Sequence, residues 1–240
     1  MTETNGRSPA GAAGIVALAL VASSVILGGF FYQARHAHAT IQVVGMASQP
    51  FEADQVKWSL AVGRTVPVSG LSDGYVRINR DVESVVAGLV SAGVPRDAVV
   101  RQPVTTNPMY GSDGIRGYQV NQTLYLVSED LDAVESLALD PSGLLPQGLL
   151  LQDSRLQYFY SGLAEVKRTL LARATEDARM RAEEIASATG EGIAAIESAR
   201  AGVFQITEPF STDVASYGIY DTSSREKEIR VTVHAVFRID

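Results

Sequence analysis

Three histidines and no cysteine leave this 240-residue chain little material for metal or nucleophile chemistry. His36 and His38, an i,i+2 pair, could hold a metal weakly, but no third ligand lies near them in sequence and a solvated linker explains them better. His234 falls on the polar side of an alternating strand and reads as an exposed residue. Ser-His-Asp chemistry needs a placed nucleophile and an orienting acid, and the sequence has no nucleophile elbow. Glu183 and Glu184 point to different sides of a helix and read as surface charge rather than an acid–base pair. The glycine-containing stretch 111–117 lacks the Gly-Lys-Ser/Thr ending of a phosphate loop and opens no helix, so it suggests a mobile hairpin loop. The expectation is a protein that is not an enzyme, with no catalytic residue, no metal ligand set and no cofactor.

Composition narrows the classes further. Without cysteine there are no disulfides, thiolate catalysis or Fe–S clusters. A net charge of −7 with acids and arginines interleaved offers no basic stripe, so no nucleic acid is expected as partner.

The aromatic groups carry more information. Tyr158, Phe159 and Tyr160 end a predicted strand, Tyr158 and Tyr160 on one face and Phe159 on the other. Tyr217, Ile219 and Tyr220 sit in a long irregular stretch, about 208–227, and loops of that length are often functional. Tyrosine-rich surface suits a protein interface or a ligand cleft, with core packing as the ordinary alternative for the strand cluster.

The elements that must position these groups follow from periodicity. Val56, Trp58, Leu60 and Val62 alternate with Lys57, Ser59, Ala61 and Gly63, the mark of a half-buried strand. Leu71, Tyr75, Ile78, Val82, Val85 and Leu89 make one helical stripe, which Gly93 and Pro95 end. Strands are predicted at 41–46, 99–106, 118–126, before Tyr160, at 193–207 and at 229–239, and a short helix at 131–139. A long helix over 163–189 places Leu163, Val166, Leu170, Ala174, Ala178 and Ile185 near one face. Arg173, Asp177 and Arg181 fall at i,i+4 on another. These elements predict an α+β domain, a mixed or antiparallel sheet with two long helices packed on it.

Ahead of that domain, no charged residue lies between Arg7 and Arg35. An apolar helix there spans roughly 28 Å, close to hydrocarbon thickness, with aromatic residues at its far end. A cleaved signal peptide is the rival reading, since Ala37-His38-Ala39 offers a small-x-small site before Thr40. The apolar run exceeds the usual signal-peptide length, and Arg35 and His36 separate it from that site. Residues 1–13 thus read as a short cytoplasmic tail, 14–34 as a transmembrane signal-anchor held by the lipid bilayer, 35–40 as a linker and 41–240 as one extracytoplasmic domain. The expected location is a bacterial cytoplasmic membrane, single-pass, with the main domain in the periplasm or outside the cell.

Three stretches resemble the SIMPL-domain family: residues 92–99 (AGVPRDAV) with 117–134 (GYQVNQTLYLVSEDLDAV), 174–186 (ATEDARMRAEEIA), and 199–229 (ARAGVFQITEPFSTDVASYGIYDTSSREKEI). The last is similar to the membrane-anchored, predicted periplasmic branch. Residues 155–163 (RLQYFYSGL) depart from the Gly- and Ser-rich strand, ending in an acidic residue, of many members. The resemblance implies an α+β fold, an envelope location, homo-oligomers and links to stress tolerance in some members, and no catalytic residues. Joined to the tyrosine-rich loop, it yields the expectation of a non-enzymatic, membrane-anchored protein that self-assembles. The alternative is a periplasmic ligand-binding or sensing module with an aromatic-lined pocket for a small molecule.

Overall fold

A computed structural model describes residues 9–35 and 39–240, with the side chains of 13–14, 16–31 and 39–240. His36, His38 and the candidate cleavage site around them lie outside the described residues, apart from Ala39. The chain divides into two compact units, one of Met1–Val43, Arg179–Ala199 and Ala235–Asp240, the other of Val44–Ala178 and Arg200–His234.

One of the two sheets lies wholly within the larger unit. Alternation in β2 (Gln55–Pro67) puts Val56, Trp58, Leu60 and Val62 on one face, all without exposed surface. The strand pairs antiparallel with β5 (Gly114–Ser128) on one side, Trp58 opposite Leu126, and with β6 (Leu150–Phe159) on the other. A bulge between Ala61 and Val62 shifts the β6 register. Both β3 (Val99–Arg101) and β4 (Thr105–Gly111) pair with the far side of β5. Helix α2 (Leu71–Ser91) buries Ile78, Val82, Val85 and Leu89 in the same core, and α3 (Leu131–Leu139) adds Leu131 and Val134. Trp58 and its apolar neighbours therefore form the centre of this layer.

In the second sheet the order is β1 (Thr40–Glu52), β10 (Glu226–Ile239), β8 (Gln205–Thr207) and β9 (Ile219–Tyr220), and β7 (Ile193–Ala201) also pairs with β10. Its core in the larger unit joins Ile206, Ile229, Val231 and Val233 to Leu170 and Ala174 of α4 (Leu163–Ser187). Gly45 of β1 allows this approach, because a Cβ there would strike the Ala174 carbonyl and the Ala178 nitrogen. Asp177 on α4 also accepts a hydrogen bond from the Met46 N–H at 2.7 Å, and Arg173 reaches Gln49 at 3.3 Å.

The smaller unit holds α1 (Pro9–Arg35), the last turns of α4 and the ends of the long strands. Ile239 N–H donates to the Ala39 carbonyl and Asp240 N–H to that of Gly192. Arg179 and Glu183 form an ion pair one turn apart. Along α1 every described side chain from Val16 to Phe31 is exposed. Those sixteen residues make about 24 Å of helix. Among the described residues no helix is long and apolar enough to cross a membrane.

The architecture is α+β, with four helices among the described residues, but with two sheets where one was expected. The predicted strand 193–207 is two strands, β7 and β8, separated by 202–204, where Gly202 N–H still donates to the Thr232 carbonyl of β10. Likewise 99–106 divides into β3 and β4, and β4 runs on through Asn107 and Pro108 to Gly111. Pro108 is tolerated because β4 is an edge strand. The stretch 111–117 lies in a hairpin, as expected: Gly111 ends β4, Gly114 faces it across Ser112 and Asp113, and 114–117 open β5. Ile185 is half exposed, whereas Ala174, Ala178, Ala182 and Ala186 are buried. An i,i+4 row winds about 40° around the helix per step, so the buried stripe leaves the side of Ile185.

Candidate functional site

The stretch after β8 is only partly irregular. Ile219 and Tyr220 form β9, paired in parallel with Gln205 and Ile206. Gly218 makes the entry possible: its φ is +88° and a Cβ would meet the Phe204 carbonyl oxygen. The loop proper, 208–218, is tied to β8 by Gln205, whose amide donates to the Ala215 carbonyl at 2.8 Å and accepts from the Ala215 N–H at 3.4 Å.

Its exit is tied more heavily. Asp221 N–H donates to Ile206, and Tyr158 N–H donates to the Thr222 carbonyl at 2.8 Å. The Asp221 carboxylate accepts from the Ser223 N–H and hydroxyl. Burial pushes its pKa up, but Ser223, Lys227 and Ser224 outweigh that and hold it below the usual carboxylate range. Lys227 has no exposed surface and donates to the Asp221 carbonyl at 2.6 Å. Burial lowers its pKa and the Asp221 charge opposes the shift. Arg225 donates to Glu52 at 2.6 Å and Asp132 at 2.5 Å, which raise its pKa, Asp132 foremost. Two charged anchors thus fix the base of a surface loop.

What the anchored loop presents is apolar. Phe210 is 96% exposed, Tyr217 88% and Val214 73%. Beside it lies a cleft of about 370 Å³ walled by Phe204, Ile206, Tyr217, Ile219 and Tyr220. Its charged group is Lys167, whose ammonium stands 5.4 Å from the centre of the Phe204 ring.

The six aromatic and apolar candidates separate into three fates. Tyr217, Ile219 and Tyr220 come together in that cleft. Phe159, at the end of β6, is not in its lining but sets its ring edge-on to Tyr220 at 6.2 Å. Tyr158 instead enters the core, where burial first and Glu135 second push its phenol up to about 12. Tyr160 packs on Phe51 with ring centres 5.1 Å apart. His234 is exposed, and among the described residues no three His, Asp or Glu side chains converge as a metal site.

Comparison with known families places this architecture. The family model SIMPL, described as a protein of unknown function (DUF541), matches residues 41–237. The chain belongs to the SIMPL family. No curated relative matches it. The matched region covers both sheets and the tied loop, so the loop belongs to the SIMPL domain itself.

Sequence reasoning overlooked Lys227 and Phe210. The signal for Lys227 was present: it continues inward the alternation of Ile229, Val231 and Val233, a lysine where an apolar residue belongs. Phe210 follows Pro209 in a segment without periodicity, and its exposure had no sequence signature.

Proposed function

We propose that this SIMPL protein is a non-enzymatic, membrane-anchored envelope protein whose extracytoplasmic domain self-assembles. The observation that carries the reading is the loop 208–218: apolar at its tip, exposed, and held by Gln205 at one side and by Lys227 at its base. A preorganised loop loses little conformational entropy on association, and exposed rings on it gain by leaving water. Exposed strand edges would add contacts, β6 being exposed over most of its length.

The anchor is residues 14–34, in the cytoplasmic membrane of a bacterium with the domain on the outer side. It is supported by the uncharged run between Arg7 and Arg35 and by apolar side chains exposed around α1 from Val16 to Phe31. A helix apolar on all sides needs a non-aqueous surround. Tethering would also raise the effective concentration of the domains. The full chain in detergent micelles, weighed by light scattering, should be an oligomer that a Tyr217→Ala, Tyr220→Ala double substitution weakens. A monomer at every concentration rejects self-assembly.

The cleft beside the loop favours a second reading, a binding module for a small apolar or aromatic ligand. Saturable fluorescence of the anionic aromatic probe anilinonaphthalene sulfonate, lost in Lys167→Ala, supports it. Equal fluorescence in both chains rejects it.

A further inference from the structure

The loop carries a knob and stands beside a hole, and their chemistry matches. Phe210 is the knob: it is the non-glycine residue with positive φ among the described residues, at +64°. A bulky side chain is costly there, by about 1–3 kcal/mol. Yet the ring is 96% exposed, so its own chain returns no burial for that conformation. The hole is a cavity of about 430 Å³ whose walls include Ala201, Val203, Val214, Ser216, Arg230 and Val231. Val214 follows Phe210 by four residues, so knob and hole lie within about 14 Å along the chain.

Charge complements shape. Glu208 and Asp213, both exposed, flank Phe210 in sequence. Arg230 lines the hole and holds Glu228 through one guanidinium nitrogen at 3.4 Å. An acid-flanked ring thus matches an apolar hole with an arginine in its wall. The same acids disfavour an anionic lipid surface as the occupant.

We propose that Phe210 of one copy fills this hole in a second copy, and reciprocally, so that a two-fold exchange closes a dimer. Knob and hole on one patch permit such an isologous contact. This rests on the self-assembly reading and names its contact; the cleft lined by Tyr217 and Tyr220 stays open for further contacts.

Complementation is the test, on the full chain in detergent micelles. Phe210→Ala removes the knob from an exposed position, and Ser216→Trp fills the hole from an exposed wall residue. Each alone should weaken dimerisation at least about tenfold. An equimolar mixture, in which the Phe210→Ala chain supplies the hole and the Ser216→Trp chain the knob, should form more dimer than either alone. Two affinity tags identify the mixed species. Wild-type mass in both variants overturns the exchange but leaves self-assembly standing on other contacts. Two weakened variants that fail to complement overturn the pairing of knob with hole. A wild-type chain that is monomeric overturns this inference and the self-assembly reading together.

Discussion

Tyr217→Ala should separate assembly from folding. The ring is 88% exposed, so removing it changes few contacts within the chain, and the domain's stability should stay within about 0.5 kcal/mol of wild type. In an interface the same ring would be covered. Full burial of a large apolar side chain gives roughly 1.5–3 kcal/mol, and 88% of that is about 1.3–2.6 kcal/mol per copy. Converted to affinity, the loss is roughly tenfold to eightyfold in the dissociation constant. Tyr220→Ala is the contrasting change. Its ring already meets Phe159 edge-on at 6.2 Å, an aromatic pair worth about 0.5–1.5 kcal/mol, so stability should fall along with assembly. Dilution series by light scattering give the first quantity and thermal melts the second. A Tyr217→Ala chain with wild-type affinity refutes the placing of the Tyr217 ring in an interface.

The remaining predictions concern the scaffold. Leu60→Ala empties a fully buried position beside Trp58 and should cost about 2–5 kcal/mol, read from denaturant melts. Gly45→Val drives a side chain into the backbone of α4 and should destabilise by about 1–3 kcal/mol or more, with melting temperature as the measure. Tyr158 has its folded pKa raised from 10.0 to about 12, so it contributes stability that is complete below pH 10 and lost as pH rises toward 12. Tyr158→Phe should flatten that alkaline limb. The Glu83 carboxyl is held below its usual range by Arg96 first and by Arg101, so its contribution is present above pH 4.5 and lost as pH falls through the folded pKa. Glu83→Gln should therefore lessen the acid dependence of the melting temperature.

Legibility followed periodicity. Trp58 and Leu60 in β2, Ile78 and Leu89 in α2, and Val231 and Val233 in β10 are buried as their alternation or stripe required. Helix α3 at Leu131–Leu139 has the bounds its sequence suggested, and Asp130 caps it by accepting from the Ala133 N–H. The division into two sheets was not legible, because strand partners are set by tertiary register: nothing local says that Trp58 faces both Leu126 and Leu156. The site was half legible. Tyr217, Ile219 and Tyr220 stood out by composition, while Tyr158 was ambiguous because an aromatic near a strand end serves a core equally well. The ties that hold the loop were hidden, since the Gln205 amide and the Lys227 ammonium bond to the backbone carbonyls of Ala215 and Asp221, partners that no side-chain pattern marks.

Absolute mass decides whether the domain self-assembles. The full chain is purified in detergent micelles and weighed by light scattering across a hundredfold dilution, with detergent mass subtracted. The expected result is a defined oligomer that dissociates on dilution and does so earlier when Phe210 and Tyr217 are replaced by Ala. A monomer throughout, or an oligomer indifferent to both replacements, would contradict it.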